Sequence, residues 1–486
     1  MAAEVESESH SELRRADADR ETRARVAFPN ANAERESQKT KTTTRRARPT
    51  LLEQLNEGNT HVLGDTLDLS TLSFEDVAGT CITPDNLLDA LCIQQTAAHP
   101  EPVNPQIRGY IHCGVGDIDA LYHLFVAVRT VVENSNEYPK AGYLLPTEAA
   151  GPENKPVPSN RLVQDILEQF LVEICVAVND RAYGPMMVFV DPRRHANAGG
   201  MVRSVRRMLA KLVGRGVERN HIAFSIPATE DGVRAAQTLA AARIKTNLIL
   251  VSGLMHAAVC VESRASAISI SVQALLEARE KRYKNTYPDL AAHPGVEEIQ
   301  TIIEYFRFNN LETRLLGVDF RELAELGTLP GFDAVALNAK QLTDIRWRRS
   351  RSRQATSPNP TAALRARQAQ FPTQILSNVS QNQGCFRGLS APSRNQIFET
   401  LYPALRHMED AMRAIEMLIR AQLTREITQR TMSLTGLLIL ADEEERRHRP
   451  MLAEIMVPNE VPGREQQREK TYIGKVGGLR AGVDYF

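Results

Sequence analysis

Short runs of apolar, β-prone residues alternate along the chain with longer stretches in which apolar residues recur every three or four positions. The runs 61–64, 187–190, 222–224, 248–251, 267–270, 314–317 and 334–337 are mostly apolar at successive positions. Strands buried on both faces of a parallel sheet have this pattern, so each run is predicted as such a strand. Between them, the stretch 201–212 places Val202, Val205, Met208, Leu209 and Leu212 along one side of a helix, and 232–241 is predicted as a second helix. Repeated strand–helix alternation specifies an α/β fold. Periodicity alone leaves a closed (β/α)8 barrel and an open doubly wound sheet equally open. Farther on, Ile397, Leu401, Leu405, Met408, Met412, Ile415 and Leu418 recur at helical spacing, which predicts one or two long helices over 393–426.

Three segments break the alternation. Residues 1–49 are dense in Glu, Arg, Asp, Ser and Thr and nearly free of large apolar side chains, so they cannot repay the entropy of ordering and read as a disordered tail. Residues 99–160 carry Pro100, Pro102, Pro105, Pro139, Pro146, Pro152, Pro156 and Pro158 and read as an insertion. Residues 346–384 run from an arginine–serine stretch, Arg348 to Arg353, into Ser357-Pro358-Asn359-Pro360 and a glutamine-rich segment, a basic and disordered insertion. The folded body is then 50–345 plus 385–430, with 431–486 a C-terminal extension.

Composition narrows the function classes. The 486 residues hold 59 basic and 59 acidic side chains, a balance that gives no overall attraction to nucleic acid or anionic membrane. The arginine-rich run 346–353, with Trp347 inside it, reads as a solvated loop rather than a nucleic-acid site. Cys81, Cys92, Cys113, Cys175, Cys260 and Cys385 are scattered without a C-x-x-C pair or histidine partners at zinc spacing, so no metal site and no cofactor is expected. The longest apolar runs fall short of the roughly 20 residues a membrane span needs. The acidic N-terminus fits neither a signal peptide nor a transit peptide, and a cytoplasmic, soluble protein is expected. Cys113-Gly114-Val115-Gly116-Asp117 lacks the third glycine of a dinucleotide fingerprint and reads as a turn.

Several segments, in order, resemble transaldolase over roughly 51–422. Val62-Leu63-Gly64-Asp65-Thr66-Leu67-Asp68 resembles the family's first-strand motif, which implies that Asp65 is an acid/base. The segment 78–84 is similar to a threonine-rich turn ending in Asn-Pro, with Thr83 in place of the asparagine. Phe189-Val190-Asp191-Pro192-Arg193 resembles the strand that carries the proton-relaying glutamate, with Phe189 at that place. In Phe224-Ser225-Ile226-Pro227-Ala228-Thr229, Ser225 stands where the family has its Schiff-base lysine. The next strand keeps the substrate-contacting asparagine as Asn247 and has Ile249 for the water-orienting threonine. Ser269 is kept, Ala274 replaces a phosphate-binding arginine, and Leu316-Gly317-Val318-Asp319-Phe320-Arg321 keeps the phosphate-site arginine as Arg321, with Asp319 for a serine.

The resemblance implies a TIM-type barrel of the transaldolase/class I aldolase kind, a sugar-phosphate-like or polyol ligand, and a homodimer. The ancestral reaction it implies is transfer of dihydroxyacetone units between sugar phosphates through a lysine iminium. A serine hydroxyl cannot form that iminium. The expectation is therefore a lyase or transferase repurposed for sugars or polyols, or a catalytically dead ligand binder. The alternatives are an active transaldolase using a relocated lysine, Lys245 or Lys340, and a non-enzymatic interaction protein. Asp65 and Ser225 are the candidate catalytic positions; Asn247, Ser269 and Arg321 are the candidate substrate contacts. Arg321 has a second reading, an ion pair with Asp319.

Overall fold

Eight parallel strands close on themselves in chain order in the computed structural model, which describes residues 49–72, 75–96, 119–135, 160–182, 184–348, 359–369 and 384–455. The strands are β1 (His61–Gly64), β2 (Val77–Ile82), β3 (Met186–Phe189), β4 (Ile222–Pro227), β5 (Thr246–Ile249), β6 (Ala267–Ser271), β7 (Arg314–Val318) and β8 (Ala334–Leu337). β8 pairs back onto β1, with His61 opposite Ala334 and Gly64 opposite Leu337. That pairing removes both sheet edges and excludes the doubly wound alternative; the fold is a (β/α)8 barrel.

Seven of the strands fall on the predicted runs, β3 and β5 starting one or two residues earlier. β2 departs from the reading of 78–84 as a turn: all but its last two residues are strand. Small residues hide it, and the structure gives a reason for one of them. A Cβ on Gly79 would lie 2.5 Å from the Pro185 carbonyl oxygen, so this strand passes the entry to β3 at backbone distance.

The longer helices are α1 (Pro84–Thr96), α2 (Ala120–Asn134), α3 (Asn160–Asn179), α4 (Ala198–Gly214), α5 (Glu230–Ala241), α6 (Leu254–Glu262), α7 (Val272–Tyr283), α8 (Pro294–Phe308), α9 (Ala339–Trp347), α10 (Pro360–Gln368) and α11 (Ala391–Ile455). Short polar side chains start them at the strand ends. The Asn197, Thr229 and Ser271 side chains accept the backbone N–H of Gly200, Gly232 and Ala274 respectively, satisfying donors that a helix start leaves open. Between strands and helices lies the main core, where Phe170, Phe224, Ile166, Leu167 and Ile226 are fully buried. Inside the barrel a second, small cluster of Leu63, Cys81, Ala267, Leu316, Ala334 and Ala336 fills the lower lumen.

Parts of the predicted insertions belong to the body. α2 lies within 99–160, burying Leu124, Ala127, Val128 and Val132, and packs on α3. α10 lies within 346–384 and buries Ala362 and Ala366 against α8. Its start is legible in the sequence: Asn359 caps it and Pro360 occupies the first turn. Arg346 and Trp347, read as the start of the basic insertion, end α9, where Arg346 pairs with Asp76; residues 1–48, 97–118, 136–159, 349–358, 370–383 and 456–486 lie outside the described residues. α11 is one helix, longer than the 393–426 predicted, and continues through 431–455. Among the described residues no helix is long and apolar enough to cross a membrane.

α11 bears on the site because its first half crosses the mouth of the barrel. Leu401, Leu405, Met412, Ile415 and Ile419 bury its inner face. Arg193, in the turn after β3, ties it down: the guanidinium donates twice to the buried Asp191 carboxylate, at 2.9 Å each, and once to Glu416 of α11. Asp191 is enclosed, so removing its partner leaves an uncompensated charge. Arg193→Ala is therefore expected to lower the unfolding free energy by about 3 kcal/mol and to open α11 to limited proteolysis. Denaturant titration and a timed digest of the two chains check this.

Candidate active site

The carboxyl ends of the strands surround a cavity of about 710 Å³, with α11 forming one wall. This volume suits a small-molecule ligand, and this end of a parallel barrel is where catalytic side chains gather. Asp65, Ser225, Asn247 and Ser269, four of the five candidate residues, line it together. The strand register explains why. Phe189 pairs with Ser225 and Ser225 with Asn247, so three neighbouring strands bring them to one level of the lumen.

A directional row of hydrogen bonds runs across that level. Ser269 Oγ donates to Asn247 Oδ1 at 2.9 Å, and Asn247 Nδ2 donates a long bond to Ser225 Oγ at 3.4 Å. Among the described residues no acceptor takes the Ser225 proton. A buried hydroxyl thus presents an unspent donor at the floor, beside the ring of Phe189.

Asp65 follows β1 and is enclosed by protein, with part of its surface open to the cavity. Its Oδ1 accepts from Asn86 Nδ2 at 2.8 Å and from the Thr83 hydroxyl at 3.2 Å. Burial, reinforced by the nearby charge of Asp319, pushes its carboxyl up to about 7, and the two hydrogen bonds only partly offset this. Asn86 is not among the candidates drawn from the sequence, although its signal is present there. Thr83-Pro84-Asp85-Asn86 is the start of α1, where Thr83 and Asn86 exchange side-chain to backbone bonds in the manner of a capping box. The capping leaves the Asn86 amide free to reach Asp65 and the Cys81 carbonyl oxygen.

Asp319, after β7, also lines the cavity, a role that its place in the phosphate-site motif does not reveal. Its backbone is left-handed, φ 54°, a conformation Asp tolerates better than most residues. The surrounding protein mass raises its carboxyl above the ordinary range, while a hydrogen bond with Ser271 and the charge of His407 hold it down. Its own surface is open to the cavity.

Arg321 is the candidate that the structure sets apart from the others. It is not among the cavity-lining residues, and the expected ion pair with Asp319 does not form. Its guanidinium donates to Glu325 at 2.9 Å and to Glu280 at 3.0 Å, and Glu325 is buried. The two carboxylates hold it away from the ligand side. Lys245 precedes β5, at the opposite end of the barrel, with Nζ donating to the Asn220 carbonyl oxygen. Lys340 is exposed in the first turn of α9 and does not line the cavity. The lysine that does line it is Lys281, exposed near the end of α7. Nine residues separate it from the start of α7, roughly 13 Å of helix rise away from the strand end. Among the described residues no group of His, Cys, Asp or Glu is arranged to hold a metal ion.

The loops around the mouth are braced from behind. The Ser252 hydroxyl lies 2.9 Å from His256 Nδ1, and His256 Nε2 lies 2.7 Å from the Ala228 carbonyl oxygen. Burial drives this imidazole down to about 4, so it is neutral at physiological pH and links the turns after β4 and β5. The serine and histidine are both enclosed, which makes this pair a brace rather than a nucleophile.

The Transaldolase/Fructose-6-phosphate aldolase family model matches residues 148–383, a span that takes in β3 through β8. Curated transaldolases also match. That of Prochlorococcus marinus (strain NATL1A) is 26% identical over 186 residues, 37% of this chain and 56% of the relative. That of Agrobacterium fabrum is 26% identical over 187 residues, 38% of this chain and 58% of the relative. That of Thermosynechococcus vestitus is 24% identical over 268 residues, 55% of this chain and 66% of the relative. The chain spans little more than half the length of the first two. With the closed barrel and the ordered motifs, these matches make the chain similar to transaldolases over the part of the barrel that runs from β3 to β8.

Proposed function

We infer that this barrel handles a polyhydroxylated ligand without covalent capture, through hydrogen bonds from its floor and proton transfer by Asp65. The observation that carries this reading is the chemistry of the cavity itself. Serine occupies the β4 position, a hydrogen-bonded Ser–Asn–Ser row forms the floor, and the lysine that lines the cavity is exposed at its outer part. Schiff-base chemistry needs an amine at the carbonyl carbon. General acid/base catalysis needs instead a group that holds and releases a proton near neutral pH, and Asp65 at about 7 is such a group. A lyase or isomerase step of this kind draws on about 10² to 10⁴-fold from the carboxyl group alone.

The locations of Lys245 and Lys340 count against a relocated nucleophile, and Arg321 is held in ion pairs where a phosphate-binding role would need it free. The unspent Ser225 proton and the Asn247 and Ser269 side chains suit sugar hydroxyls better than they suit a carbonyl awaiting an amine. Turnover and simple binding differ in Asp65: a binder tolerates Asp65→Asn, whereas a proton-transfer enzyme loses its rate and keeps its ligand.

Borohydride treatment with fructose 6-phosphate, followed by intact mass, is expected to leave the chain unmodified and to give a one-ligand adduct on Ser225→Lys. An adduct on Lys245, Lys281 or Lys340 of the unaltered chain would overturn the reading. Titration of Asp65 gives a second outcome. Its native pKa lies above the unfolded value of 3.8, so between about pH 4 and pH 7 the native state keeps a proton that the unfolded chain releases. Stability is therefore lost as pH rises through that window. Asp65→Asn should gain thermal stability over the unaltered chain by an amount that grows from pH 4 to pH 7 and then levels off. Asn86→Ala, which removes an amide donor to the carboxylate, should move the midpoint of that loss to higher pH. Melting curves across pH 4 to 9 measure both.

A further inference from the structure

The lining of the cavity is unbalanced in charge, and the imbalance is specific. Asp65 and Asp319 face the interior from the ends of β1 and β7, and neither forms an ion pair among the described residues. The nearby basic side chains are already engaged: Arg321 with Glu280 and Glu325, His407 with Asp85 at 3.4 Å, and Arg282 with Glu399 at 3.7 Å. Asp89 and Glu277 add negative charge around the opening, against one exposed lysine, Lys281, while Asp85 and Glu399 are the partners of His407 and Arg282. A phosphate ester entering here meets like charge with no cation free at the floor. Asp65 is held by neutral donors alone, Asn86 and Thr83, and Asp319, open to the cavity, by Ser271, so a positive group on a ligand would complete both.

The floor supplies an independent pointer to a ligand. Ser225 is 7% exposed and lines the cavity, and its hydroxyl proton has no acceptor among the described residues. It shares that level with Asn247 and Ser269, 3% and 1% exposed. A ligand hydroxyl at the floor would take the serine proton, while a second group on the same molecule faces the two carboxylates.

We propose that the cavity selects a cationic, hydroxylated small molecule, an amine-bearing polyol, over the phosphate ester of the same carbon skeleton, and that Asp319 sets this choice. The proposal rests on the imine-free reading above, because an amine ligand brings its own nitrogen and has no use for a lysine. Asp319 is suited to the role by position. Its left-handed backbone turns the chain at the end of β7, its carbonyl oxygen accepts the Gln273 N–H at 3.0 Å, and its side chain is left open to the cavity.

A matched series of probes isolates charge from shape: sorbitol, 1-amino-1-deoxysorbitol and sorbitol 6-phosphate, titrated into the full chain by calorimetry at pH 8 and low salt. The amine is expected to bind at least tenfold more tightly than sorbitol, and the phosphate more weakly than sorbitol. Added salt should narrow the spread, as screening requires. In Asp319→Asn, the amine should lose at least fivefold while sorbitol changes by less than twofold. Asn accepts a left-handed backbone as readily as Asp, so this variant is expected to fold, and its melting curve checks that. Asp319→Ser provides a second variant with the same expected loss. Equal or tighter binding of the phosphate, no binding by any probe, or an amine-to-sorbitol ratio unchanged in both variants would overturn the proposal. The borohydride result is independent: a lysine adduct with fructose 6-phosphate defeats the imine-free reading, whereas a phosphate preference without an adduct defeats only the ligand class.

Discussion

Closure of the barrel in register is the constraint from which the site follows. Once β8 pairs with β1, alternate residues of every strand must face the lumen, and no strand can slip by one without turning its inward side chains out. The consequence is visible in layers. Leu63, Cys81, Ala267, Leu316, Ala334 and Ala336 pack the lower lumen. Phe189, Ser225, Asn247 and Ser269 line the cavity, together with Cys81 and Ala336 of that cluster. Polar groups can occupy that level because they bond to one another across strands and because the cavity opens above them.

The electrostatics of the mouth depend on where the ion pairs form. Arg321, Arg282 and Arg193 are each drawn onto carboxylates away from the floor, the last two of them onto α11. Ion pairs that fasten the rim therefore leave the interior carboxylates uncompensated. Asp65 keeps its hydrogen bonds from Asn86 and Thr83, but these do not outweigh burial and the charge of Asp319. On the proposed reading, a cavity arranged in this way favours a protonated carboxyl or a cation over a second anion.

Much of this architecture is legible in the sequence because seven strands are nearly continuous apolar runs, the pattern that burial on both faces of a parallel sheet imposes. β2 is hidden because Ala78, Gly79 and Thr80 look like turn chemistry in isolation; the glycine is there for the close approach of β3, a tertiary fact. α10 is hidden by the basic residues around it, although its asparagine cap and first-turn proline are on view. At the site, Asp65, Ser225, Asn247 and Ser269 can be found because each sits on or next to a strand whose register fixes its direction. Arg321 is misplaced for the opposite reason. It lies two residues past Asp319 in a loop, and its direction is decided by Glu325, four residues on, and by Glu280 on α7, a partner that no local pattern reveals.

The same reasoning bears on Phe189. Its ring, 1% exposed, lines the cavity beside Ser225 in the register of β3 and β4. An aromatic side chain there cannot relay a proton, and it lowers the polarity of the floor that Asp65 overlooks. Proton transfer at this cavity would then pass between Asp65 and the ligand directly, since neither the floor row nor the aromatic ring offers a second titrating group at that level.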